Sequence, residues 1–188
     1  HQMNLSNLYE SAYVDANYKD KEGLQESFER IIGLPADQSD NEGRIKHITA
    51  FSEERMPETY SRTLLDVGSG LGVFPFRMHN AGWQCTALDP DPRSVEHIRN
   101  LGIDVQLGDF MQFSQGNVYN LITFNKVLEH LENPTTMLRK SRKHLDSRGL
   151  VYIELPDGEM AETEGPEREE FFVDHHHIFS VTSLSMMA

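Results

Sequence analysis

The stretch LLDVGSGLG, Leu64 to Gly72, ends an apolar run in a carboxylate, Asp66, and then sets glycines at every second position, Gly68, Gly70 and Gly72. Glycine admits positive φ and lets a ligand approach the backbone closely, so this turn suits a nucleotide-like ligand. Two common uses of such a turn do not fit. A dinucleotide turn spaced Gly-x-Gly-x-x-Gly needs a third glycine where Val73 stands, and a phosphate-cradling loop needs a Gly-Lys-Ser/Thr ending that the stretch lacks. Asp89 and Asp109 also close apolar runs. Singly, each of the three acids could cap a helix; three acids at three strand ends point to one pocket. Histidines supply candidate bases: His130 follows Glu129, and His175, His176 and His177 stand together in DHHHIFS. A base is needed where the group acted on must lose a proton. Adjacent residues point in different directions on helix or strand, so three histidines in a row seldom share one ion, and no metal is expected.

The elements that must position these residues alternate regularly from Thr63 onward. TLLDVG, QCTALD, IDVQLGD, YNLITF and GLVYIEL read as five strands, rich in branched and aromatic residues. Between them, VFPFRMHNAG, DPRSVEHIRNLG and NPTTMLRKSRKHLDSRG carry helical spacing, the last two with Pro near the start and Gly past the end. Strands alternating with helices predict a doubly wound, Rossmann-like α/β domain, a parallel sheet with helices on both faces, over 61–188. In such a sheet ligands collect at the carboxyl ends of the strands, near the point where strand order reverses. Residues 1–60 read as a helical appendage or lid with Tyr9, Tyr13 and Tyr18 on a polar segment. There, Ser39 and Glu42 form a capping-box signature, and Ile45, Ile48 and Phe51 a helical stripe, predicting a helix over 40–55 ended by Pro57. The acidic segment PDGEMAETEGPEREE, 156–170, reads as a surface loop or mobile lid.

Composition narrows the function classes. The chain has 188 residues, 38% of them hydrophobic, enough for one sizeable core. Its formal net charge of -13, from 17 Lys+Arg and 30 Asp+Glu, disfavours nucleic acid as a partner and suits a small-molecule enzyme. A single cysteine, Cys85, fits a reducing compartment. With neither a leader pattern nor an apolar run of about 20 residues, a cytoplasmic location without membrane attachment is expected.

The spacing Asp-x-Gly-x-Gly-x-Gly from Asp66, followed in order by LDPDP, LGDF and FNKVLEHLENP, resembles the class I S-adenosylmethionine-dependent methyltransferases, of the small-molecule, ubiquinone-biosynthesis-like type, over about 62–155. The resemblance implies the cofactor S-adenosylmethionine, with S-adenosylhomocysteine as product. It places Asp66, Gly68, Ser69, Gly70, Leu71 and Gly72 around the cofactor and Asp89, with Pro90 beside it, on the ribose hydroxyls. It sets Gly108 and Asp109 at the adenine amino group with Phe110 beside the ring, and Asn125, Lys126 and Val127 along the methionine end. A Glu-His pair, here Glu129 and His130, often follows in the family, and a His-x-Phe-Ser segment like that ending DHHHIFS lies near the acceptor. His130, His176 and His177 are therefore the expected catalytic residues. Tyr18 would fold over the cleft, and Arg44 would offer its guanidinium to the cofactor's carboxylate or an anionic acceptor. Some quinone-pathway relatives hold a divalent ion through Glu-x-x-Glu-His; Lys126 replaces the first acid here, which argues against that site. Family members continue beyond SVTSLSMMA with further strands, so the chain reads as C-terminally shortened, and a homodimer would cover the exposed edge. The implied reaction is methyl transfer to O or N of a small molecule or glycan precursor; the alternative is a methyltransferase-like binding module without catalysis.

Overall fold

The computed structural model describes residues 21–56, 61–114, 116–160 and 175–187. The sheet is built from β1 (Thr63–Val67), β2 (Gln84–Asp89), β3 (Asp104–Leu107), β4 (Tyr119–Asn125) and β5 (Leu145–Glu154). All neighbours pair in parallel, in the order β3-β2-β1-β4-β5. Strand order reverses between β1 and β4. That reversal opens a crevice at their carboxyl ends, where Asp66, the glycine turn and Asn125 stand. The helices are α1 (Lys21–Ile32), α2 (Asp40–Arg55), α3 (Val73–Asn80), α4 (Pro92–Asn100), α5 (Pro134–Ser141) and α6 (Val181–Met187), and none of the described helices is long and apolar enough to cross a membrane.

Alternation along β1 sends Leu64 to one face and Leu65 and Val67 to the other. Leu64 packs with Ile48, Phe74, Met78, Trp83 and Ile98 beneath α2, α3 and α4. Leu65 and Val67 pack with Phe110, Phe124, Leu128 and Met137 beneath α5. A third cluster joins Leu24 and Phe28 of α1 to Leu71 and Val73, so α1 lies against the outer side of the glycine turn. Leu71 is thereby a core residue, whatever else its backbone touches.

Three sequence expectations are corrected. Ser39 is the N-cap of α2, but the capping box does not form: Ser39 Oγ is buried without a partner among the described residues, and the Glu42 carboxylate pairs with Arg77 of α3. A half-buried ion pair between helices has taken the side chain that the local motif would use. Phe51 leaves the predicted stripe, 48% exposed beneath the Arg55 guanidinium. The helix predicted through NPTTMLRKSRKHLDSRG stops at Ser141, and β5 begins at Leu145 rather than Gly149. Its first pairing, Leu145 with Tyr119, is separated by an irregularity from Leu150 with Leu121. Gly149 sits in that irregularity, where an added Cβ would lie 3.1 Å from the Asn120 carbonyl oxygen.

Candidate functional site

The site begins with the turn after β1. Gly68 N–H donates to the Leu88 carbonyl at 2.8 Å and Gly70 N–H to Asp89 Oδ2 at 2.8 Å, so the turn is tied to the end of β2. Gly68 and Gly72 are required twice over. Both have positive φ, 73° and 69°, and a Cβ on either would come within 2.7 Å of a side chain, Val127 Cγ2 for Gly68 and Ile98 Cγ1 for Gly72. Above Gly70 the space is open. Ser69 turns inward, its hydroxyl donating to the Asp66 carbonyl.

Two buried carboxylates flank this turn. Asp66 Oδ1 accepts from the Thr123 hydroxyl at 2.6 Å and from Asn125 Nδ2 at 3.0 Å. The other amide atom, Asn125 Oδ1, is buried with no hydrogen-bond partner among the described residues. Asp89 accepts the Gly70 and Asp91 N–H groups, one on each oxygen, the second at 2.9 Å. Pro90 is half-buried beside it. Burial pushes both carboxyls up to about 6 against these hydrogen bonds. Because the folded chain then holds protons that the unfolded chain has released, its stability falls as pH rises from about 4 to 6. Relative to Asp66→Asn, the unliganded wild-type chain is expected to lose about 3 kcal/mol between pH 4 and 7, read by urea denaturation of both across that range. A difference that stays flat with pH would show that Asp66 titrates as an ordinary carboxyl.

Beyond β3 the structure divides what the sequence grouped. Asp109 is exposed and caps the turn Phe110–Gln112, accepting Met111 N–H at 2.8 Å. The Phe110 side chain faces the core: it is 2% exposed, stacked on Phe113 and edge-on to Phe124, with Leu65 and Met137 in the same cluster. The apolar side chains at the surface there are Leu107 and Met111, 57% and 41% exposed, on either side of Gly108 and Asp109. Sequence reasoning missed both, since an apolar residue at a strand end reads as core.

The other wall joins α2 to β5. Arg44 donates through Nε and Nη2 to the two oxygens of Glu154 and through Nη1 to Asn41 at 2.9 Å, while the Tyr152 hydroxyl donates to Glu154 Oε2 at 2.8 Å. Burial works to raise the Glu154 carboxyl, but the Arg44 guanidinium holds it below the ordinary range; the Tyr152 hydroxyl is pushed up to about 12 by burial and by that carboxylate. These residues line a cavity of about 500 Å³ together with Asp37, Asp40 and His47. Arg44 is close enough to Asp66 to favour its charged form. Lys126 takes a positive φ of 54° as the chain leaves β4, its N–H donating to the Glu154 carbonyl, and Val127 then covers Gly68.

The histidines meet at the next turn, Leu128–His130. The Glu129 carbonyl accepts His176 N–H at 2.7 Å and His177 N–H at 3.2 Å, which docks the DHHHIFS segment on this turn. The Glu129 carboxylate, 1% exposed, and one ring nitrogen each from His130 and His175 lie within 4.8 Å of one another. The His130 and His175 rings meet edge to face, centroids 4.6 Å apart. His176 and His177 do not join them: the His176 side chain is exposed, and His177 Nε2 lies 3.4 Å from the Glu132 carbonyl oxygen. Tyr18, Tyr13 and Tyr9 lie outside the described residues, as does most of the acidic loop.

Residues 34–188 match the model of a family described as a methyltransferase domain. The chain is 27% identical over 104 residues to the cypemycin N-terminal methyltransferase of Streptomyces sp, covering 51% of this chain and 42% of the relative. It is 25% identical over 143 residues to the ubiquinone biosynthesis O-methyltransferase of Xanthomonas oryzae pv. oryzae, covering 69% and 60%. The chain thus spans about half the length of the curated relatives it matches. Among solved structures, the plantazolicin methyltransferase in complex with a pentazolic desmethyl analogue and S-adenosylhomocysteine superposes with a TM-score of 0.70 at 15% identity, covering 100% of this chain and 76% of that one. A sugar N-methyltransferase from Streptoalloteichus sp gives 0.57 at 18% identity, covering 63% and 49%. These two likenesses show the fold.

Proposed function

The chain belongs to the methyltransferase-domain family, and from that premise we propose that it transfers a methyl group from S-adenosylmethionine to a nitrogen or oxygen of a small molecule, an amine foremost. The observation that carries the reading is the pairing of two buried carboxylates across an open glycine turn at the reversal of strand order. Each Asp89 oxygen accepts one backbone N–H and keeps capacity for a ribose hydroxyl. Asp66 fits an ammonium group together with the Asn125 carbonyl oxygen, which is buried without a partner among the described residues, and Arg44, fixed by Glu154, fits the carboxylate of the same amino-acid end. Gly108 and Asp109 would take the adenine edge, with Pro90, Leu107 and Met111 as apolar flanks.

S-adenosylmethionine supplies a methyl group already activated on a sulfonium, so the protein's share is to align the acceptor with it and to exclude water. Acceptor binding falls to the cavity between α2 and β5. Three carboxylates there, Asp37, Asp40 and Glu154, outnumber Arg44 and His47, a balance that draws an amine. The cypemycin enzyme and the sugar enzyme are both named for methylation at an amino terminus or a nitrogen, which supports the same choice. The Glu129, His130 and His175 group, gathered at the turn after β4, would take up the proton an acceptor loses.

Arg44 allows a specific test of the cofactor's orientation. A charge-assisted hydrogen bond is worth about 1.5–3 kcal/mol, so Arg44→Ala is expected to weaken S-adenosylhomocysteine binding roughly tenfold to a hundredfold. Methylthioadenosine, which lacks the amino-acid end, should bind the variant as it binds wild type. Equal losses for both ligands, by calorimetry, would make Arg44 a structural residue. The reaction itself is checked by incubating the chain with S-adenosylmethionine and paired amino and hydroxy sugars, scoring methylated product by mass. Absence of S-adenosylhomocysteine binding by the folded chain would overturn the reading.

A further inference from the structure

We propose that His97 is a positioning residue for the glycine turn: its imidazole donates to the Leu71 carbonyl while the same ring carries α1, so that docking of α1 and grip on the cofactor are coupled. The need for such a donor starts with Pro75. Leu71 stands one residue before the N-cap of α3, and the residue four places on, from which helical pairing would draw an N–H, is a proline. Gly72 N–H turns back to the Ser69 carbonyl at 2.8 Å, and Phe76 N–H goes to Gly72. Among the described residues no main-chain donor reaches the Leu71 carbonyl. A buried carbonyl needs a partner, and the His97 ring, in the last turn of α4, is hydrogen-bonded to the Leu71 backbone. His97 Nε2 is buried with no partner among the described residues, which leaves Nδ1 as the donor.

The next residue of α4 completes the grip. Ile98 fills the space that Gly72 leaves by having no Cβ, its Cγ1 2.7 Å from where one would stand. Two successive residues of α4 thus hold two successive residues of the turn, one by a hydrogen bond and one by contact. The imidazole also meets Phe28 of α1 edge-on, centroids 5.4 Å apart at 70°, and Phe28 meets Phe76 of α3 at 5.2 Å. Leu24 and Phe28 share their cluster with Leu71 and Val73, so α1 and the turn rest on the same side chain. His97 is 8% exposed. Burial holds its imidazole below the ordinary range against the Leu71 bond, which keeps one N–H for the carbonyl; a protonated ring would bury a second N–H without an acceptor. Leucine would fill the volume but could not donate. Because ordering of the turn and ordering of α1 draw on one residue, a ligand that fixes the turn must also favour the docked helix. The effect on the cofactor rests on the methyl-transfer reading; the hold on the turn does not.

Amide hydrogen exchange of the 188-residue chain, with and without S-adenosylhomocysteine, tests both halves, with affinity read by calorimetry. In His97→Leu the amides of Gly72 and α1 should exchange roughly tenfold faster than in wild type, because the bond that closes the turn is gone. S-adenosylhomocysteine should bind about tenfold more weakly, the order of one hydrogen bond. His97→Asn keeps an N–H donor at the place of Nδ1 but removes the ring; it should recover the Gly72 protection and the affinity while α1 stays fast. In wild type the ligand should slow exchange in α1, and in His97→Leu it should not, a coupling that a side chain merely filling the core would not show. Wild-type exchange and affinity in His97→Leu overturn the proposal, as does a turn no better protected in His97→Asn than in His97→Leu. Should His97→Leu fail to fold, Phe28→Leu reads the coupling from the other side. It should leave the Gly72 amide unchanged and lessen the ligand's protection of α1, and full protection there overturns the proposal. A wild-type chain that binds no S-adenosylhomocysteine, with Gly72 protection still lost in His97→Leu, refutes the methyl-transfer reading and leaves the hold on the turn standing.

Discussion

Asp89→Ala is expected to weaken S-adenosylhomocysteine binding by a factor of a hundred or more while leaving the fold standing. The carboxylate does two things at once in the ligand-free chain. It accepts the N–H groups of Gly70 and Asp91, which fixes the turn after β1 against the end of β2. It also keeps lone pairs for the ribose, where two hydroxyl donors meet one charged acceptor at about 1.5–3 kcal/mol each. Losing both contacts gives about 3–6 kcal/mol, which is the hundredfold loss or more. Stability should change little by comparison. Burial pushes this carboxyl up to about 6, so removing it relieves a desolvation cost that offsets the two lost backbone bonds. Asp89→Asn separates charge from shape: it keeps one acceptor oxygen and should fall between alanine and wild type. Calorimetric titration of the three proteins decides the matter. If Asp89→Ala binds as wild type does, the ribose is held elsewhere and the cofactor assignment to this crevice fails.

The parts of this site that could be read from sequence are those where one residue answers to one local rule. Asp66 and Asp89 end apolar runs, and runs of that kind become the parallel strands that line up their own carboxyl ends; the register of β1 with β2 and β4 follows from burial on both faces. Phe110 shows the limit of such reading. Its neighbour Asp109 stands two residues past the end of β3, which closes at Leu107, and the 3-10 turn it caps swings the Phe110 ring into the core below α5, a direction set by packing against Phe113 and Phe124 rather than by sequence position. Arg44 shows another. Its partner Glu154 is 110 residues away, and a pairing at that separation is made by the sheet bringing β5 beside α2. Of the three histidines of DHHHIFS, the resemblance singles out His176 and His177 as catalytic, whereas the structure sets His175 beside Glu129 and His130. What singles out His175 is the docking of the next two amides on the Glu129 carbonyl, a main-chain event with no signature in side-chain type.

Gly68→Ala should destabilise the chain by roughly 2–4 kcal/mol, an amount that two separable causes share. The first is conformational: a φ of 73° costs an L-residue about 1–2 kcal/mol. The second is steric, because the new Cβ would stand 2.7 Å from Val127 Cγ2, well inside contact distance. Gly70→Ala supplies the comparison, since its φ is 52° and an added Cβ meets nothing within 4 Å; it should carry the conformational cost alone. The double variant Gly68→Ala/Val127→Ala should recover the steric part and not the conformational part, a coupling of about 1–2 kcal/mol in a double-mutant cycle read by urea denaturation. If Gly68→Ala is no worse than Gly70→Ala, Val127 yields to the methyl group and the contact is soft. A large coupling has a functional consequence. Val127 lies between Lys126, whose backbone is bonded to Glu154, and the turn that carries Glu129 and His130. A rigid Gly68–Val127 contact therefore sets the distance between the glycine turn that would hold the cofactor and the cluster that would meet the acceptor. Gly68→Ala should then lower turnover by more than its effect on cofactor affinity accounts for.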